Sequence, residues 1–217
     1  MTLKRVVFIR SGETDWNRQG RQQGWVASPL NHLGYRQIER LAKFVRNIGM
    51  SALYSSDLKR AVQTAEVVAE RLGYPVTYDI RLRERHIGHW QGMTLDEVRT
   101  WYGDEYAALL ADVEDYQIPG GESRAEVKVR MLAAFGDIVA QAPGETVGIV
   151  SHTTNTRALL ESLVPAQSDT TTMQLTNSSV TTIRRTDSAW EIVAADDVEH
   201  LEGLETHFVE EPEDKTS

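Results

Sequence analysis

The sequence predicts a single α/β domain of three layers, a mostly parallel sheet with helices on both faces. Short apolar runs alternate along the chain with longer stretches of helical spacing. The runs Val6–Ile9 and Thr146–Val150 are almost continuously hydrophobic, as strands covered on both faces are. A length of 217 residues with 41% hydrophobic residues suits one domain with a sizeable core.

Val6–Ile9 is read as a buried strand that ends at Arg10-Ser11-Gly12. From Gly34 to Val45 a helix is expected, because Ile38, Leu41, Ala42 and Val45 fall on one helical face. Ala52–Tyr54 is a second short strand, followed by Ser55-Ser56-Asp57. The next helix takes Ser56 or Asp57 as its cap, runs through Arg60 to Leu72 and stops at Gly73. Val76–Tyr78 is a third strand. Residues 94–112 are helical in composition, broken near Gly103, and Pro119-Gly120-Gly121 is a loop. Glu122–Ala140 is a long amphipathic helix. Thr146–Val150 is the most apolar strand and leads into Ser151-His152, after which Thr156–Leu163 is helical. Val180–Arg185 and Trp190–Ala194 read as a closing strand pair turned at Asp187-Ser188.

Composition narrows the function classes. The net charge of −9 argues against a nucleic-acid partner. From residue 196 to 217 there are nine acidic residues and one lysine, so the net −8 of this stretch leaves about −1 for residues 1–195. The folded domain is therefore assigned to 1–195, and 196–217 to an acidic, mobile, solubilising tail. No cysteine is present, which excludes disulfides, thiolate catalysis and cysteine-bound metal. No apolar stretch approaches the roughly 20 residues that cross a bilayer, and the N-terminal run lacks the features of a signal peptide. A cytoplasmic protein with no membrane contact is expected. Oligomeric state is not legible.

In folds of this class ligands sit at the carboxyl ends of the strands. Three such ends carry polar clusters: Arg10-Ser11-Gly12-Glu13, Ser55-Ser56-Asp57 leading to Arg60, and Ser151-His152. Two guanidiniums facing one crevice match phosphate oxygens bidentately and keep their charge at any working pH. Gly12 would let the backbone approach an anion, and Asn17 could donate from the following loop. A surface ion pair is the commoner role of an arginine, and the position just after a strand speaks against it here.

These residues also resemble a known family. Ile9-Arg10-Ser11-Gly12-Glu13-Thr14-Asp15-Trp16-Asn17 is similar to the R-H-G-E-T-x-x-N signature of the histidine phosphatases, the phosphoglycerate-mutase-like superfamily. The similarity continues at Gly20–Trp25, Ser28–Asn31, Ser55–Ala65, Arg81–Glu84, Gly88–Gly92, Pro119–Ser123 and Val150–His152, in order over roughly residues 4–195. The resemblance implies a phosphoglycerate-mutase-like fold and metal-free transfer of a phosphoryl group to a histidine, with no cofactor. By position it assigns Arg10, Asn17, Arg60 and His152 to phosphate binding and Glu84 to general acid catalysis of leaving-group departure. Gln23, Gly24, His86 and Thr153 are candidates for the substrate rim. Glu13 is read as orienting its neighbours, and His32, His200 and His207 as incidental. The ligand expected is a small phosphorylated molecule or inorganic phosphate. Residues 93–118 carry no arginine pair of the kind the mutases use, which favours phosphatase over mutase, and these residues are expected to form a substrate-selecting lid.

One departure is decisive. Ser11 stands where the family places its nucleophilic histidine. A serine oxygen reaches roughly 2 Å less far than an imidazole nitrogen, and serine needs an activating base. An inactive or strongly impaired phosphatase that still binds phosphate is expected, or else a natural pseudophosphatase binding a phospho-ligand or partner. Thr153, where relatives carry a small residue, adds a branched side chain beside the same site. An interaction module without ligand chemistry is the remaining class, against which the retained anion pocket counts.

Overall fold

Hydrophobic runs become strands where both faces find a helix to cover them. In the computed structural model, which describes residues 2–164, 170, 173–187 and 189–204, six strands form one sheet in the order β3-β2-β4-β1-β5-β6. They are β1 (Arg5–Arg10), β2 (Ala52–Ser55), β3 (Val76–Tyr78), β4 (Thr146–Ser151), β5 (Val180–Arg185) and β6 (Trp190–Asp197). Strands β1 to β4 are parallel, and β5 and β6 add an antiparallel edge. Alternation along β1 divides the core. Val6 and Phe8 join one apolar cluster, Val7 and Ile9 the other.

Seven helices accompany the sheet: α1 (Asp15–Arg18), α2 (His32–Val45), α3 (Lys59–Leu72), α4 (Leu95–Trp101), α5 (Gly103–Ala111), α6 (Arg124–Gln141) and α7 (Thr153–Leu163). Leu41, Ala42 and Val45 of α2 pack with Ala61, Ala65 and Val68 of α3 on one face. Val127, Met131 and Ile138 of α6 pack with Leu159 and Leu160 of α7 on the other. The chain therefore leaves neighbouring strands β1 and β4 towards opposite faces. That opens a crevice at their carboxyl ends.

Most boundaries agree with expectation to within a few residues, and the differences have local causes. Neither Ser56 nor Asp57 caps α3. The N-cap is Leu58, without a side-chain bond; Asp57 is paired with Arg83, and Ser56 Oγ accepts from Leu58 N and bonds His152. α7 begins at Thr153, with His152 as its N-cap residue. The short α1, closed by a Thr14–Asn17 capping box, was not expected. The folded unit also runs past residue 195. β6 extends to Asp197, and a 3-10 turn at Glu199–Leu201 buries Leu201 against the domain. Residues 205–217 of the expected tail lie outside the described residues, as does His207. No helix among the described residues is long and apolar enough to cross a membrane.

Candidate active site

Register decides which strand ends meet. Arg10 lies opposite Ser151 in the β1–β4 ladder, and Ser55 opposite Val150 in the β2–β4 ladder. The residues just beyond, Ser11, His152 and Ser56, form one row at neighbouring-strand spacing of about 5 Å. Arg60, in the first turn of α3, reaches the same place, and the cleft there is also lined by Asn17, Gln23, Gly24, Glu84 and Thr153.

Both guanidiniums are fixed by backbone carbonyls. Arg60 donates to Gly24 O at 2.9 Å and to Val26 O at 3.2 Å. Arg10 Nη1 donates to Leu175 O. Both side chains are almost fully buried. His152 Nε2 shares a hydrogen bond with Ser56 Oγ at 2.9 Å. Burial holds the imidazole pKa well below its ordinary value, and the charges of Arg60, Arg10 and Arg130 push it further the same way. His152 is thus held as a neutral imidazole beside the Arg10 and Arg60 guanidiniums.

Ser11 is held through its backbone. Its N–H donates to Ser151 O at 3.2 Å, and its carbonyl accepts from Ser178 N and Asn177 Nδ2, both at 3.2 Å. His152 Nε2 bonds Ser56 rather than Ser11, and no base among the described residues is bonded to the Ser11 hydroxyl. Gly12 does not serve the anion as expected. Its N–H is used by Thr64 Oγ1 at 3.1 Å, and a Cβ there would come within 2.9 Å of Ile38. Packing of α2 against the loop requires the glycine.

Glu84 projects from the segment after β3. Its carboxylate accepts from Arg85 N at 2.7 Å and Thr154 N at 3.3 Å, the latter at the start of α7. Arg130 of α6 clamps this segment by donating to the carbonyls of Arg81, Arg83 and Glu84 at 2.6–3.0 Å. Glu122 holds Arg130 in turn with two bonds, at 2.8 and 2.9 Å, and also accepts from His86 N. Asn17 turns its Oδ1 towards Thr14 in the capping box, which leaves Nδ2 as the amide's donor for the cleft. Gln23 Oε1 accepts from Thr14 Oγ1, and Gly24 adopts a left-handed φ of 52° against Gln91.

A model of the histidine phosphatase superfamily (branch 1) matches residues 6–198. The chain belongs to the histidine phosphatase superfamily. It is 36% identical over 205 residues to a metal-independent phosphoserine phosphatase of Arabidopsis thaliana, covering 92% of this chain and 84% of the relative. It is 32% identical to a probable phosphoglycerate mutase of Salmonella typhi, covering 92% and 96%. Among solved structures, a mycobacterial glucosyl-3-phosphoglycerate phosphatase complexed with VO3 superimposes with a TM-score of 0.79 at 29% identity, covering 89% of this chain and 99% of that one.

Within this histidine-phosphatase fold, the residues singled out for the site in the sequence meet in one cleft, except Gly12 and His86. His86 does not line it. Its ring packs edge-on against Trp25, and its Nδ1 accepts from Gly88 N at 3.1 Å. Residues 93–118 do not line it either. Their apolar side chains, Val98, Leu109 and Ile118 among them, gather with Ile87 and Trp90 in an apolar cluster beside the cleft. His89 pairs there with Glu105 at 2.9 Å. Several lining residues escaped the sequence reading: Arg21, Gln22, Arg85, Thr154 and Asn177. Arg85 directly follows Glu84 and carried a positional signal, whereas Asn177 lies in a polar run that no periodicity marks. His200 is not incidental to the fold. It stacks on Phe44 and bonds Ser178 O at 2.9 Å.

Proposed function

We propose that this chain is a phosphomonoester phosphatase by descent that binds phosphate between Arg10, Arg60, Asn17 and His152 but turns over poorly or not at all, because Ser11 occupies the nucleophile's position. The observation that carries the reading is the pairing of a cationic pocket with a serine that no base among the described residues bonds. Arg10 and Arg60 offset the phosphate charge, the electrostatic work that dominates phosphoryl transfer. His152 steadies the group through a neutral ring that can take up a proton. Glu84, which also lines the cleft, supplies the proton to a leaving oxygen. The serine breaks the sequence at its first step, since an error of about 1 Å in attack distance costs on the order of a hundredfold. The phosphoserine, glucosyl-phosphoglycerate and VO3 named for its relatives support a small phosphorylated ligand. A mutase reading is disfavoured because no residue of 93–118 lines the cleft and its only arginine, Arg99, pairs with Asp96.

A second reading, a natural phospho-ligand-binding module, draws on Thr153, whose branched side chain is buried at the pocket wall. Isothermal titration with inorganic phosphate and vanadate, run beside a phosphomonoester assay, tests the proposal. Binding without turnover is expected. Absence of binding removes the pocket reading, and brisk turnover by the unaltered chain removes the account of Ser11.

A further inference from the structure

Two non-glycine residues among those described have a left-handed backbone, Ser178 at φ 61° and Asp196 at φ 46°. Side-chain penalties make this conformation uncommon outside glycine, and such outliers gather where the surrounding structure holds a functional geometry. These two are joined through one turn. Asp196 lies in an irregularity of the β5–β6 ladder, where Val180 pairs with Asp197 but Thr182 pairs with Ala194. A bulge of this kind re-aims a side chain. Here the Asp196 carboxylate leaves the sheet and accepts from Thr176 N at 2.5 Å and Thr176 Oγ1 at 2.9 Å. Its own N–H is secured by Thr181 Oγ1 at 3.1 Å.

Thr176 is the residue before Asn177. The Asn177 amide, almost fully buried, donates to Ser11 O at 3.2 Å and lies 3.4 Å from Asn17 Oδ1, the atom that closes the α1 capping box. Asn177 therefore touches both the Ser11 loop and a phosphate-binding candidate. We propose that Asp196 is a positioning residue of the phosphate cleft, whose carboxylate fixes the Thr176–Ser178 turn and so sets Asn177 against Ser11 and Asn17. The inference rests on the phosphate-binding reading above. It transfers a residue assigned to the tail to the support of the site. The neighbouring bonds point the same way: Arg157 donates to Met173 O at 2.8 and 2.9 Å, and His200 to Ser178 O. The rest of the turn is already pinned, leaving Thr176 to Asp196.

The test compares Asp196→Ala and Asp196→Asn in the full chain. Phosphate affinity by calorimetry and the NMR shift and exchange protection of the Asn177 side-chain amide are the readouts. Asp196→Ala is expected to weaken phosphate about tenfold, the low end for a hydrogen bond to a charged group, and to shift and deprotect the amide. Asp196→Asn should restore most of both, because asparagine offers an acceptor to Thr176 N and tolerates positive φ. Unchanged affinity together with an unshifted amide in Asp196→Ala overturns the proposal, even if thermal stability falls. If the unaltered chain binds no phosphate, the phosphate reading fails and the Asn177 amide decides alone: deprotection in Ala with rescue in Asn supports positioning, and no change overturns it. Should Asp196→Ala not fold, Thr176→Val removes only the hydroxyl bond. A smaller shift of the Asn177 amide in the same direction supports the proposal, and none overturns it.

Discussion

The cleft has two walls built on different principles. The front wall, Arg10, Ser11, His152 and Arg60, stands at the ends of adjacent parallel strands and in the first turn of a helix, so ladder register places it. The back wall is Asn177, carried on the segment Leu175–Ser179, which has no ladder of its own before Val180. Remote groups hold this segment: Arg10, Asp196 and His200 each bond one of its backbone groups, and Arg157 bonds the carbonyl of Met173 beside it. Regular structure positions a side chain through many redundant bonds. The back wall depends on a few bonds, each of which a single substitution can remove.

The largest effect expected lies in the front wall. Ser11→His should raise phosphomonoesterase activity by about a thousandfold or more over the unaltered chain, the scale on which loss of a nucleophile acts. Ladder register already aims position 11 at the pocket, and Glu84 and His152 are in place. An acid-labile phosphoenzyme in the variant alone would accompany it. A folded variant inactive on a broad phosphoester panel would shift the weight to Thr153 and to the binding-module reading.

Next in size is Arg60→Ala. The guanidinium is buried and aligned by Gly24 O and Val26 O. Its loss should weaken phosphate by roughly 1.5–3 kcal/mol, about ten- to a hundredfold and more, measured by calorimetry. A change below threefold would show that Arg10 and His152 suffice, and that the front wall is more redundant than its geometry suggests.

The same contrast explains what the sequence disclosed. The strands, the helix faces and Arg10, Asn17, Arg60, Glu84 and His152 were legible because apolar periodicity and position after a strand are local signals. Asp196 and His200 were read as tail and as incidental because nothing local marks them. Their partners, Thr176 and Ser178, lie 20 and 22 residues away across a bulge. Arg130 was hidden for a related reason. On an amphipathic helix a lone arginine looks solvated, and only the fold brings the carbonyls of residues 81–84 within its reach. His86 shows the opposite failure, since proximity to Glu84 in sequence did not place its ring in the cleft.

The pH dependence of anion binding separates the walls again. Burial and the neighbouring arginines hold the His152 pKa below its ordinary value. A depressed folded-state pKa contributes stability that is complete above about pH 6.5 and lost as pH falls through the folded pKa, because the unfolded chain then binds the extra proton. A bound dianion counters the arginines and raises that pKa, so binding takes up protons. Sulfate, which does not titrate in this range, should bind several-fold more tightly as pH falls from about 8 to about 5.5. His152→Gln should flatten the profile. His200 is also depressed, chiefly by burial, and weakens the fold towards acid in the same direction. It stands behind the back wall, so His200→Gln should change the acid limb of stability and leave the slope of sulfate binding. Equal flattening by both variants would break the distinction between the walls.

The smallest effect concerns Ser178, where the back wall can be relaxed without being undone. Its hydroxyl is buried and has no partner among the described residues. Its backbone does the bonding, N–H to Ser11 O at 3.2 Å and carbonyl from His200 Nε2 at 2.9 Å. Glycine keeps both bonds and removes the side-chain penalty of a left-handed φ, about 1–2 kcal/mol. Against this stands the added freedom of the unfolded chain, about 0.4–1 kcal/mol. Ser178→Gly should therefore stabilise the protein by roughly 0.5–1 kcal/mol, a rise in Tm of about 1–4 °C for a chain of this size. Phosphate affinity should stay within about twofold, because no atom that positions Asn177 has been removed. If affinity instead falls as far as in Asp196→Ala, the strained serine itself, rather than the carboxylate that pins the turn before it, sets the geometry of the back wall.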